Sequence, residues 1–249
     1  MIKKNFLFLA ACVLFSGLAH GKTSKIKTLA DKLSGYKLEL QYKNNFSSSK
    51  DWAIEKLGDC QAIFKGNRLE LYSPVVITVW LKKRLFAPIM IEYYVEMIDK
   101  GGKYDNLTDL NLFFMSEDPN NPTDFFASAD RRKNARLKDY SYLNMYYVGY
   151  AANKNTTTRL RRLRANDKRP LLPEHDLRGY KNKPNQKVKV NVLLIGNNFV
   201  FCVDDKVIYD WQDPKPQPSG WFAFRTFNSH MYIYDLKIYK IVKNAHITH

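Results

Sequence analysis

Between Val75 and Lys82 the chain alternates without a break. Val75, Ile77, Val79 and Leu81 fall on one side, and Val76, Thr78, Trp80 and Lys82 on the other. Residues two apart share a face only in extended chain. This run must therefore be a strand with one fully apolar face, and that face needs a second layer to cover it. The other face carries an aromatic ring and a cation. The expectation is that it lines an open groove, with Trp80 and Lys82 as substrate contacts.

Comparable runs recur at short intervals. Cys60 to Phe64 and Asn67 to Tyr72 flank the turn Lys65-Gly66-Asn67 and read as a hairpin. Ile89 to Ile98 is a long strand. Leu107 to Met115 sets Asp109, Asn111 and Phe113 against Leu110, Leu112 and Phe114. Leu143 to Tyr150 leads through a turn at Ala151 to Asn155 into a return strand, Thr156 to Leu163. Val188 to Ile195, Phe199 to Val203, Val207 to Trp211, Trp221 to Thr226 and Met231 to Ile241 complete the set. The hydrophobic period slips at Tyr234-Asp235, which predicts a bulge. The stretch MSEDPNNPTDFF and the Pro-rich run Asp213 to Gly220 read as loops, and Arg131 to Lys138 as a basic surface segment. Helical text is confined to a short turn at Thr28 to Leu33. Strands at this spacing predict one sandwich of two antiparallel sheets over 46–243, after a basic leader at 22–45 and before a tail at 244–249.

The chain opens MIKKNFLFLAACVLFSGLAHG. Lys3 and Lys4 precede an apolar run, and small residues end it, so 1–21 reads as a signal peptide cut near Gly21. The expected location is the periplasm or the exterior. The alternative is a lipoprotein anchored through Cys12, and no stable membrane insertion is expected. After cleavage Cys60 and Cys202 remain. They either pair as a disulfide or stay as core thiols. No Cys-x-x-Cys exists to hold a metal.

The formal charge is +16 over 249 residues. Outside the cytoplasm this points to an anionic polysaccharide or a membrane surface rather than nucleic acid. Sixteen tyrosines suit stacking on sugar faces. Oligomeric state is open.

The segments VWLKKRLFAPIMIEYYVEMID, DLNLFFMSEDP, YYVGYAANKNTTTRLRRL, RPLLPEHD and GWFAFRTFNSHMYIYDLKIY resemble, in order and wording, the DUF6250 family. The likeness spans Trp52 to Tyr239, and its most specific part is the Asn-x-Asn-Thr-Thr-Thr-Arg stretch. It implies a concanavalin-like jelly roll exported by polysaccharide-degrading Bacteroidetes. It also implies company with ulvan-degrading systems, whose members look like oligosaccharide dehydratases or lyases. One departure is Tyr150-Ala151-Ala152, where the family pattern leads one to expect glycines after the tyrosine.

Three chemistries compete. Hydrolysis needs two carboxylates flanking the bond, and Glu92 and Glu96 share a strand face with Tyr94. β-Elimination needs a base, a proton donor and a cation to absorb developing charge. His175, flanked by Glu174 and Asp176, and His230, at a strand entry, are candidate bases, with Tyr147 as the partner group. His246 and His249 lie in the tail. Arg159 and Arg161 project from one strand face about 7 Å apart, a spacing that suits neighbouring sulfate or carboxylate groups on a sugar chain. Arg162 points the other way and can pair with an acid. Asn111 and Arg225 join the candidate substrate contacts. The third reading is a carbohydrate-binding module without catalysis. No cofactor is expected; a structural calcium near Asp204-Asp205 is the one metal considered.

Overall fold

In the computed structural model, residues 27–165 and 171–244 are described. The signal segment, Cys12, Arg169 at the head of the RPLLPEHD stretch, His246 and His249 lie outside them. A capped helical turn, Leu29–Leu33, precedes the first strands, β1 (Tyr36–Asn44), β2 (Trp52–Leu57), β3 (Gln61–Phe64), β4 (Leu69–Leu81) and β5 (Leu85–Phe86). Next come β6 (Ile89–Met97), β7 (Leu110–Glu117), β8 (Asn144–Ala151), β9 (Thr157–Leu163) and β10 (Asp176–Leu177). The chain closes with β11 (Lys187–Ile195), β12 (Asn198–Val203), β13 (Lys206–Gln212) and β14 (Ser219–Lys243).

Among the described residues every pair of strands runs antiparallel, and β4 and β14 serve two sheets at once. The first sheet runs β10-β9-β8-β7-β14-β4-β2, using the early part of β14. The second runs β3-β4-β14-β6-β11-β12-β13, using the later part. The transfer falls between register shifts at Phe227/Ser229 and Tyr234/Lys237, with Asn228 and Asp235 at positive φ. The second shift is the bulge that the slipping period predicts.

Between the sheets lies one apolar core. Ile77, Val79, Leu112, Phe114, Val148, Leu160 and Phe224 of the first sheet meet Ile91, Val95, Val192, Leu194, Phe199 and Phe201 of the second. This is the two-sheet all-β sandwich expected. Two smaller clusters lie outside it. Leu29 of the helical turn covers Met90, Leu193, Val200 and Cys202 on the second sheet. On the first sheet Trp80, Phe113, Tyr147 and Ala223 lie under Phe125, Tyr140 and Tyr142.

That last cluster corrects the groove expected at Val76, Thr78, Trp80 and Lys82. The alternation itself holds, since Ile77, Val79 and Leu81 enter the core. Yet Val76, Thr78 and Trp80 are buried too. The segment read as loop and basic surface folds back as two 3-10 stretches, Phe125–Arg132 and Leu137–Tyr140. Phe125 packs edge-on to Trp80 at 4.8 Å, and the indole N–H donates to Glu55 at 2.8 Å. Arg132, from the run read as surface, is fully buried and pairs with Glu55 at 2.7 Å. Lys82 alone of the four stays exposed, donating to the Lys50 carbonyl at 3.2 Å.

The leader also needs revision. Tyr36–Asn44 is a strand, paired with the end of β14 from Leu236 to Lys243. It has one neighbour and most of its side chains meet solvent, and Tyr36, Leu38, Leu40 and Tyr42 alternate along it with polar residues. Cys60 and Cys202 are free and buried in separate clusters, which settles the disulfide question. Burial pushes the Cys202 thiol up to about 12.

Candidate functional site

The register across the first sheet places one polar row on its outer face. Thr78 of β4 stands opposite Arg225 of β14, Arg225 opposite Asn111 of β7, and Asn111 opposite Gly149 of β8. Gly149 stands opposite Arg159 of β9, and Arg159 opposite Asp176 of β10. The neighbouring row is aromatic: Trp80, Ala223, Phe113, Tyr147, then Arg161. The covering segment reaches the polar row as well, where the Ala135 carbonyl accepts from Arg225 Nη1 at 2.7 Å.

Arg225 is buried and also donates to Thr78 Oγ1 at 2.9 Å, with its guanidinium 5.4 Å from the Phe113 ring centre. Its charge lies close enough to Tyr147 to act on the phenol. Burial pushes the Tyr147 phenol up, while the charges of Arg225 and Arg161 pull it partly back. The phenol is therefore protonated at neutral pH and is a proton donor. Asp109 sits at positive φ where β7 begins. Its carboxylate accepts from Thr108 Oγ1 at 2.6 Å and from Asn111 Nδ2 at 2.9 Å. Burial pushes its pKa up, with the two hydrogen bonds and Arg225 opposing. Thr108 also lines a cleft of about 440 Å³ with Asp105, Lys154 and Asn228.

Arg159 and Arg161 share this face, as the strand period requires. Arg159 Nε donates to Asp176 Oδ1 at 2.9 Å. Arg178 also grips Asp176, and together the two cations pull its carboxyl down to about 2. Arg161 stands opposite Tyr147. Arg162 points inward and pairs with buried Asp213 at 3.0 Å, so it serves the core.

The threonines between these arginines and the turn have a structural task. Ala151, Asn153, Lys154 and Asn155 all take positive φ without a glycine among them. Thr158 Oγ1 accepts from the Ala151 amide at 3.0 Å, and Thr156 Oγ1 donates to the Asn153 carbonyl at 2.6 Å. Asn155 and the Asn182 backbone exchange two further bonds. Side-chain oxygens thus replace the expected glycines.

The two histidines are not part of the row. His175 precedes Asp176 and faces the opposite way, buried edge-on to Trp211 at 5.0 Å and Tyr209 at 5.7 Å. Burial pulls its pKa below the usual range. His230 lies past the bulge of β14, opposite Tyr72. Its Nδ1 is 2.9 Å from Asp105 and its Nε2 is 3.2 Å from Glu70, so both ring nitrogens are engaged. Glu92 and Glu96 lie on the second sheet. Glu92 is held by Lys237 and Asn191, and Glu96 by the Tyr234 hydroxyl. Asp204 accepts from the Lys189 amide and Asp205 pairs with the Lys189 ammonium. Among the described residues no three His, Cys, Asp or Glu gather as a metal site.

Asp109 and Gly149 were missed as site residues. Asp109 shared a predicted face with Asn111, and that shared face was the available signal. Gly149 gave none, because which side chains close over a strand glycine depends on its neighbours across the sheet.

Comparison with known proteins agrees with this architecture. A protein of unknown function with a galectin-like fold from Bacillus subtilis is similar over 84% of this chain and 100% of its own, at 18% identity and a TM-score of 0.63. The Emp47p carbohydrate recognition domain aligns over 82% and 97%, at 16% identity and 0.54. The endo-beta-1,3-glucanase from Pyrococcus furiosus aligns over 85% and 98%, at 9% identity and 0.55. At these identities the likeness is one of fold. No curated protein matches the chain. The family model DUF6250, a domain of unknown function, matches residues 71–236, and the chain belongs to that family.

Proposed function

We propose that this DUF6250 protein is an exported carbohydrate-active enzyme that binds an acidic oligosaccharide across the outer face of the first sheet and acts on it by β-elimination. The observation that carries this reading is that one sheet face sets Arg161 opposite Tyr147 and Arg225 opposite Asn111, whose amide donates to Asp109. That two fold relatives are a carbohydrate recognition domain and a glucanase supports sugar as the ligand class.

Each role follows from the chemistry of the group. Arg161 and Arg159 hold a sugar carboxylate or sulfate with forked donors. Asp109, made more basic by burial, takes the proton from the carbon next to the uronate carboxyl. The released electron pair forms a carbon–carbon double bond, and the carbon–oxygen bond on the adjacent carbon breaks. Tyr147 protonates the departing oxygen, which leaves as an alcohol in a lyase or as water in a dehydratase. Arg225 steadies the phenolate that remains.

The test is incubation with ulvan-type and other acidic oligosaccharides. The expected signal is the ultraviolet absorbance of a conjugated uronate, or the mass loss of one water. Tyr147→Phe should cut turnover about 10²- to 10⁴-fold while leaving binding intact. A second reading, a non-catalytic binding module, is favoured by the engagement of Arg159 with Asp176 and of Arg225 with Thr78. Binding without conversion by the wild type would establish it. Conversion that survives in Tyr147→Phe and disappears in a Glu92→Gln, Glu96→Gln variant would move the chemistry to hydrolysis on the second sheet.

A further inference from the structure

Among the described residues, β1 has β14 on one side and no strand on the other. Bonded and non-bonded pairs alternate along an antiparallel ladder, and two flanking bonds show which are which here. The Asn244 amide donates to the Gly35 carbonyl at 2.9 Å, one step outside the pair Tyr36 and Lys243. The Ile241 amide, opposite Leu38, turns away from β1 and donates to the Pro88 carbonyl at 3.1 Å. Tyr36, Leu38 and Leu40 are therefore the non-bonded members, and their backbone groups point to the open edge. Their side chains share one face, with Leu38 37% and Leu40 54% exposed. A register shift after Leu40 ends the regular ladder, so the usable edge is 36–40. Such an edge is a template for one more strand.

We infer that this edge pairs with the same edge of a second copy of the chain, antiparallel, about a twofold axis at Leu38. Charge selects that register. Centred on Leu38, the axis sets Leu38 against Leu38, Tyr36 against Leu40, and Lys37 of each protomer against Glu39 of its partner. Shifted by one residue, it sets Lys37 against Lys37 or Glu39 against Glu39. Shifted to Leu40, it sets Lys37 against Lys43. Like charges directly opposite oppose pairing, and opposite charges favour it. Within one chain Lys37 Nζ already lies 2.8 Å from Glu39 Oε1, so the pairing builds an alternating cluster of four charges. The exposed leucines of both copies meet on the other face. Paired residues keep their side chains on one face, so the second sheets join and both first sheets lie on the same side of them. The outer faces that carry Arg159 and Arg161 then point the same way, and one long anionic polysaccharide meets two of them with avidity. That last consequence alone rests on the carbohydrate reading above.

Sedimentation velocity of the full protein between about 1 µM and about 1 mM tests this, and the dimer fraction should rise with concentration. Leu38→Pro should weaken association about tenfold or more, because it deletes a donor that serves only the open edge. Its thermal midpoint in dilute solution should hold, since an edge strand accepts proline where the amide faces outward. Lys37→Glu and Glu39→Lys should each weaken association about tenfold, and the double exchange should restore it. The charge variants decide the matter even if the proline variant does not fold. A monomer at every concentration overturns the inference and leaves the edge to an extended segment of some other chain. A dimer indifferent to these variants lies elsewhere on the molecule. Weakening that the double exchange does not repair means that the register is wrong. None of these results touches the proposed chemistry, which is read with oligosaccharide alone.

Discussion

Asp176 holds the guanidinium groups of Arg159 and Arg178, and so competes with any anionic ligand for Arg159. Asp176→Asn should free Arg159 and remove a like charge from the ligand's path. Affinity for an acidic oligosaccharide should rise roughly fivefold, the scale of one exposed ion pair, as read by calorimetry. An unchanged or weaker affinity would mean that Asp176 positions Arg159 for the ligand rather than competing for it. His175 yields a prediction about pH. Burial between Trp211 and Tyr209 lowers its pKa, so the folded chain binds its proton less tightly than the unfolded chain does. Its contribution to stability is complete above the unfolded pKa of ~6.5. It is lost as pH falls through the lower folded value. Urea midpoints should therefore decline on acidification through this window, and the decline should be smaller in His175→Phe. Turnover should survive that substitution, because the ring faces away from the polar row.

At the scale of elements, β14 decides the architecture. It starts in one sheet and ends in the other, and its first residues lie hard against β7. Gly220 shows how close: a Cβ there would lie 2.3 Å from the Met115 carbonyl carbon, at a φ of 156°. Gly220→Ala must displace backbone rather than a flexible side chain, and soluble yield should collapse. The 3-10 cover is more forgiving. Phe125→Ala removes a ring buried against Trp80 and Trp221 and should cost about 3–5 kcal/mol in urea unfolding. A loss below about 1 kcal/mol would mean the cover is not part of the cooperative fold. The same elements mark what sequence alone can reveal. The alternation of β4, β7 and β8 was readable because each buries one face in a wide core. The hairpin at Lys65-Gly66-Asn67 and the bulge at Asp235 were readable from turn chemistry and a slipped period. The cover was not: Asp124 to Leu143 has no single period, and its burial depends on Arg132 finding Glu55, a partner far away in the chain. The edge strand β1 was legible as well, since Tyr36, Leu38, Leu40 and Tyr42 alternate with Lys37, Glu39, Gln41 and Lys43, but the basic character of 22–45 outweighed that pattern. The outer arginines were found from spacing, but the row they belong to is a property of register across strands from distant parts of the chain.

At the scale of the whole molecule, charge acts on folding and on binding with opposite signs. The chain carries 40 basic and 24 acidic residues. Many of the cations are neutralised locally, as Arg132 is by Glu55, Arg162 by Asp213 and Lys189 by Asp205. The excess still sums to a field that repels itself and attracts an anionic sugar chain from a distance. Salt screens both effects. Raising ionic strength from about 0.01 M to about 0.1 M shortens the screening length from ~30 Å to ~10 Å. That distance is smaller than a domain of this size, so long-range repulsion fades while contacts within the core do not. The thermal midpoint of the free protein should therefore rise over this range. The association rate of an acidic oligosaccharide should fall over the same range, and its dissociation rate should change less, because forked bonds at Arg159 and Arg161 act at contact distance. Stopped-flow binding and thermal melts on one set of buffers measure both. A midpoint that falls with salt would show that attractive pairs outweigh the net positive charge. An association rate indifferent to salt would show that the sugar is recognised by shape and neutral hydrogen bonds alone, and the arginines on the outer face would then lose their assigned role.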